Sequence, residues 1–409
     1  MQNMNDLRGV EYLPEPTDRS IVSAVDASVV EHEAGWRSEV MGWAPQEVRP
    51  VVKARRSTVT AGTLIVSVLM VALGLIAWQN QWYVLELPLP DSEWAFESTE
   101  IRDLQAMGLS GEGVRFCMVD TGIDDQHEAF ASSTIVFRDL VGGSSDPIDY
   151  GTVAHGTLMS GLMLSTTHQL GVAPNVTFAM VAALSSGEGE ENSGSDDDVA
   201  DAIRWCQFEF QADIISLSLG GESAGVGERE GASTSATRQA TDAGVYVIAA
   251  AGNDGGLDDD GDVSSPGSAR LAISVGASDQ IEGIWTNSSI GDSVGSDGVQ
   301  REAPHQKPEV LAPGQAIVST GEGNRWYSSS GTSDSTVFVA GTLALILEGH
   351  PHLKPQSPGN STCLEAVKEA LMLSLQGEGT TGHDERRGYG LLNAVGWYEA
   401  LAGTERCAD

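Results

Sequence analysis

The sequence predicts an α/β protein: a doubly wound, mostly parallel sheet with helices on both faces, preceded by one transmembrane helix. Three observations carry this. From about residue 99 onward, short apolar runs bounded by glycine alternate with helical stretches. The runs are apolar throughout, as in strands buried on both faces. Residues 59–78, VTAGTLIVSVLMVALGLIAW, contain no charge at all.

Residues 1–56 show no clear period and carry Pro14, Pro16, Pro45 and Pro50 among scattered charges. They read as a flexible cytoplasmic tail. The uncharged stretch, taken as residues 57–78, reaches about 30 Å as a helix at ~1.5 Å per residue, the thickness of bilayer hydrocarbon. Lys53, Arg55 and Arg56 precede it, and the next cation is Arg102. That asymmetry leaves the N-terminus in the cytoplasm and residues after 78 outside. Trp78, Trp82 and Tyr83 suit an interfacial belt. An uncleaved signal anchor is therefore expected. Residues 79–98, interrupted by Pro88 and Pro90, read as a linker, and residues 99–409 as one large domain.

Within that domain the predicted strands are 114–119, 176–184, 214–219, 245–251 and 271–275. The predicted helices are 155–164, 196–208 (opened by three aspartates that favour a helix N-terminus), 232–243 (closed by Gly244) and 333–347. In such folds a ligand sits at the carboxyl ends of the strands. Asp120, Gly220 and Asn253 all fall just past predicted strands.

Charge narrows the function. The chain has 58 acidic and 22 basic residues, net −36, so a nucleic-acid partner recruited by a basic surface is excluded. Residues 1–56 hold 9 of the acidic and 7 of the basic side chains, so the negative charge belongs to the remainder. The four cysteines, Cys117, Cys206, Cys363 and Cys407, show no CxxC spacing and make neither a disulfide scaffold nor a zinc cluster. Cys117, in an apolar run, reads as a small buried hydrophobe. Two readings stay open for pairing: all four as free thiols, or a Cys363–Cys407 pair in an oxidising compartment.

Peptide hydrolysis needs a nucleophile, a base, a group that orients the base, and donors for the oxyanion. The sequence offers one residue for each role. Asp120 follows an apolar strand in VDTGID, His155 opens AHGTLMSG, Asn253 ends VIAAAGN, and Ser333 lies in SSSGTSDSTVFVAGTLALIL. The order Asp, His, Asn, Ser, with gaps of 35, 98 and 80 residues, resembles the subtilisin-like serine peptidases. Residues 215–221 (ISLSLGG), 265–277, 307–314 (KPEVLAPG) and 388–393 (GYGLLN) resemble further segments of that family, in order, so the likeness spans about residues 99–400.

The resemblance implies a serine endopeptidase acting on polypeptides, with Ser333 as nucleophile, His155 as general base and Asp120 orienting it. The Asn253 amide and the Ser333 backbone N–H would hold the oxyanion. Ser218, Leu219 and Gly220 would pair with an extended substrate as an added strand, and Ala251 and Gly252 would wall a pocket. It implies no cofactor for the chemistry. It does imply structural calcium, for which the acidic loops 188–198 and 254–262 are the candidate ligands, although Asp258-Asp259-Asp260-Gly261-Asp262 lacks an EF-hand pattern. The remaining histidines read as surface or structural residues.

Two features depart from the family. After its serine the family usually reads Met-Ala-x-Pro-His, whereas here Asp334, Ser335, Thr336, Val337 and Phe338 follow Ser333. Asp334 brings a like charge towards the developing oxyanion. Only about twenty residues separate the anchor from the domain, so folding without a domain-sized propeptide is expected. These departures sustain a rival reading, a catalytically silent, membrane-tethered peptide-binding module.

Overall fold

The computed structural model describes residues 68, 70–73, 92–151, 153–186, 192–256, 259–291, 294–295, 298–355, 361–375 and 382–404. Seven strands form one sheet: β1 (Arg115–Asp120), β2 (Ile135–Asp139), β3 (Thr177–Ala182), β4 (Ile214–Leu217), β5 (Tyr246–Ala250), β6 (Ile273–Ser278) and β7 (Val310–Pro313). Their order is β2-β3-β1-β4-β5-β6-β7, and every pairing is parallel. A hairpin of β8 (Ile317–Gly321) and β9 (Arg325–Ser329) stands apart.

Side chains of one strand alternate between two cores. On β1, Phe116 and Met118 enter the larger core and Cys117 and Val119 the smaller; Phe178 and Met180 of β3 oppose Ala179 and Val181 in the same way. The smaller core is closed by α4 (Asp196–Phe208) and α5 (Ala232–Asp242). The larger is closed by α3 (His155–Leu164), α6 (Thr332–Gly349), α7 (Thr362–Ser374) and α8 (Ala394–Ala400). Helices on both faces explain why the inner strands are predominantly apolar. All ten residues of α3 are buried, so this helix has no polar face to show.

The chain lays β3 on one side of β1 and β4 on the other. The strand order therefore reverses between β1 and β4, the position at which open parallel sheets bind ligands in a crevice at the carboxyl ends. Asp120 closes β1, and Ser218 follows β4 directly. Asn253 lies three residues beyond β5, the next strand along.

Several expectations are corrected. Cys117 is not a lone hydrophobe: it forms a disulfide with Cys206, tying β1 to α4 across the smaller core. The pair has no local sequence signal, because the two cysteines lie 89 residues apart and meet only once α4 covers the sheet. Cys363 is disulfide-bonded as well, and free cysteines are absent among the described residues. Cys407 lies outside them. Residues 93–98, expected to end a linker, form α1 (Glu93–Ser98), followed by α2 (Ile101–Ala106). Ala95 and Phe96 are wholly buried, and Phe96 meets Phe338 of α6 edge-on, so packing overrides the weak local pattern. The expected anchor, residues 57–78, falls almost entirely outside the described residues; among these, no helix is long and apolar enough to cross a membrane.

Candidate active site

Asp120 and His155 meet at this end of the sheet. The imidazole Nδ1 lies 2.6 and 2.8 Å from the two carboxylate oxygens of Asp120, with both residues buried. A carboxylate only accepts hydrogen bonds, so Nδ1 carries the proton and a neutral ring keeps its lone pair on Nε2. Asp120 also accepts the Thr121 N–H at 2.7 Å. Burial pushes the imidazolium of His155 down, but the charge and hydrogen bond of Asp120, helped by Asp334 and Asp149, hold it above its ordinary pKa.

His155 is the first residue of α3, after Ala154 in the left-handed region. Ala154 offers no side-chain cap, and the orphan N–H groups of the first turn are satisfied from far along the chain. Thr121 Oγ1 accepts the Gly156 N–H at 2.9 Å, and Asp149 accepts the Thr157 N–H at 2.8 Å and its hydroxyl at 2.6 Å. Thr121 in turn donates to Asp149 at 2.7 Å. The loop after β1 and the start of α3 are thus locked together, which fixes His155 against Asp120. Gly156 is required by space: a Cβ there would fall 2.0 Å from the Gly122 carbonyl oxygen.

Ser333 is the second residue of α6 and is buried. Its hydroxyl lies 3.3 Å from the Ser218 carbonyl oxygen, while the Ser218 hydroxyl donates to the Ser333 carbonyl at 3.0 Å. These bonds pin the strand extension 218–220 to the start of α6, and α6 packs on α3, so the first turns carrying His155 and Ser333 belong to adjacent helices.

Asn253 Oδ1 accepts from Thr332 twice, from its N–H at 2.9 Å and its hydroxyl at 2.8 Å. This turns the amide nitrogen toward Gly331. A Cβ built on Gly331 would stand 3.6 Å from Asn253 Nδ2 and 3.7 Å from the Ser333 backbone nitrogen. Two nitrogens that can donate hydrogen bonds therefore border one small space beside Gly331, which a side chain at that position would fill. Gly252, with φ +114°, has no room for a side chain: a Cβ would sit 2.3 Å from Ser264 Oγ. Leu219 points into the smaller core, Ala251 is wholly buried, and Gly220 lies beside Ser264. Two supports without a local sequence signal are Thr332, whose partner lies 79 positions away, and Asp149, which bridges Thr121 and Thr157.

Among the described residues, no group of three or more His, Cys, Asp or Glu side chains is arranged around a common point. Asp259 is spent on the Gly261 and Ile290 N–H groups, at 2.7 and 2.8 Å. Asp262 pairs with Arg301 at 2.8 Å, and Asp254 accepts from Ser289. In the other loop Asp196 accepts from Ala232 and Ser233, at the start of α5.

The model of the subtilase family matches residues 111–390. The chain belongs to the subtilase family. It is similar to serine protease AprX of Bacillus subtilis (strain 168), 32% identical over 289 residues, 64% of this chain and 63% of that protein. It is also similar to subtilisin DY of Bacillus licheniformis, 31% identical over 264 residues, 63% of this chain and 85% of the relative. Alkaline elastase YaB of Bacillus sp. (strain YaB) is 32% identical over 258 residues, 63% of this chain and 60% of that protein. The subtilase match begins close to β1 and ends beyond β7, so it contains every residue of the crevice.

Proposed function

We propose that this subtilase is a serine endopeptidase, held to a membrane by residues 57–78 with its catalytic domain outside the cytoplasm. The Asp120–His155 contact of 2.6 Å carries the catalytic reading. It presets the imidazole tautomer that takes a proton on Nε2. In this mechanism Ser333 Oγ attacks the scissile carbonyl and passes its proton to His155. His155 later returns that proton to the leaving amine. The Asn253 amide and the Ser333 N–H hold the oxyanion, and residues 218–220 pair with the extended polypeptide. No step calls for a cofactor. The tether is supported by the uncharged stretch at 59–78 and the cations before it. The Cys117–Cys206 disulfide supports an oxidising compartment.

One observation favours a silent peptide-binding module instead: Asp334, a buried carboxyl next to Ser333. A single experiment separates the two. The full chain, purified in detergent from membranes washed at alkaline pH, is treated with a fluorophosphonate probe beside Ser333→Ala. Labelling of the first and not the second is expected. A folded chain that stays unlabelled at every pH tried would leave the binding module standing, and recovery of the chain in the wash would refute the tether.

A further inference from the structure

Asp334 follows the proposed nucleophile directly and is 1% exposed. Ser329, the last residue of β9, donates to its Oδ1 at 2.5 Å. Its Oδ2 faces the other way: it stands 3.7 Å from the Cβ position of Gly331, the point also approached by Asn253 Nδ2 and the Ser333 nitrogen. The same small space is thus bordered by two donors suited to an oxyanion and by one carboxyl oxygen. An anion there opposes the negative charge that the two donors would stabilise; a neutral carboxyl does not.

We propose that Asp334 gates the oxyanion site: peptide hydrolysis proceeds only while its carboxyl is in the acid form, and its ionisation shuts the enzyme off as pH rises. This rests on the serine-peptidase reading above. The surroundings suit the role. From α3 the titratable group facing Asp334 is His155, backed by Asp120 of β1 and by Asp149. β9 contributes the Ser329 hydroxyl, and the loops after β4 and β5 contribute the neutral Ser218 and Asn253. No lysine or arginine among the described residues is ion-paired with Asp334. Burial pushes its pKa up to about 7, against the Ser329 hydrogen bond and the His155 charge, which both pull it down.

Activity is bell-shaped in pH. His155 must be neutral to act as base, so activity rises as pH climbs through its pKa. Asp334 must be protonated, so activity falls as pH passes about 7. Without the carboxyl the second limb would not exist.

The test is kcat/KM of the full chain on fluorescein-labelled casein from pH 5 to 9, for wild type, Asp334→Asn and Ser329→Ala. A group titrating near neutrality makes the wild type lose about 100-fold two units above its pKa. Asp334→Asn, which keeps the size and the acceptor for Ser329, is expected to abolish that limb. Ser329→Ala removes a bond that favours the anion, so its limb is expected to move to higher pH even if the asparagine variant folds poorly. A limb that persists at the same pH in both folded variants would overturn the gate and leave the peptidase reading intact. A folded wild type with neither hydrolysis nor fluorophosphonate labelling at any of these pH values would overturn both.

Discussion

Asn253 is held by a residue that has no chemistry of its own in the mechanism. Thr332 spends both its N–H and its hydroxyl on Asn253 Oδ1, so the amide nitrogen arrives at the Gly331 point already oriented. Preorganised donors of this kind typically account for about 10²–10³ in turnover. Asn253→Ala is therefore expected to lower kcat by that factor with little change in KM, measured by steady-state kinetics on a peptide substrate. A comparable rise in KM with kcat preserved would mean that Asn253 binds substrate and does not hold the oxyanion. At this scale the candidate residues carry local signals in the sequence and their supports do not. Asp120, His155, Asn253 and Ser333 each sit in a local pattern, an apolar strand or a Gly-flanked helix start, that can be read within ten residues. Thr332 cannot be read so, because Asn253 lies 79 positions away, and Asp149 matters because it joins Thr157, eight positions on, to Thr121, 28 positions back.

The elements follow the same division. α4 was legible to the residue because its signals are local: Ser195 accepts the Asp198 N–H, and three aspartates fill the first turn. β2 was missed because it is a sheet edge, half exposed and carrying Arg138 and Asp139, so it lacks the apolar run that marks the inner strands. β7 is only four residues long, and its other edge is covered by the chain near Leu391. What secures it is a buried charge cluster invisible to periodicity. Glu309, just before β7, receives Lys307 at 2.9 Å and Lys368 of α7 at 2.6 Å, and also accepts the Ser274 N–H of β6 at 2.7 Å. Both lysines reach the Ala272 carbonyl too. Burial pushes the Lys307 ammonium down to about 7 despite the pull of Glu309, so the charge these two buried lysines hold depends on one anion. Glu309→Gln is expected to cost about 3–5 kcal/mol, since it leaves buried charge uncompensated, measured by denaturant unfolding. Adding Lys307→Met should return part of the loss, because removing both partners of such a pair is far milder than removing one. No recovery would assign the effect to β7 packing.

For the whole molecule, the disulfide between Cys117 and Cys206 joins the central strand to the helix layer that covers the smaller core, and its ends are 89 residues apart in sequence. The bridge lies behind the sheet, since Cys117 points into the smaller core while α3 and α6 pack in the larger one. A crosslink over a loop of this length restricts the unfolded chain strongly, and removing such a bridge typically costs about 2–5 kcal/mol. The strong negative charge adds to this dependence, because net −36 favours expansion of the unfolded chain by self-repulsion. Cys117→Ala combined with Cys206→Ala is therefore expected to lower the unfolding free energy by that amount, with a larger deficit at low salt, where repulsion is least screened. Activity per folded molecule should be unchanged, because neither cysteine borders the crevice. Denaturant melts at two ionic strengths, paired with active-site titration of the folded fraction, check both statements. An intact melting profile would mean that α4 is held by packing alone, whereas lost activity in a fully folded variant would mean that β1 relies on the bridge to present Asp120.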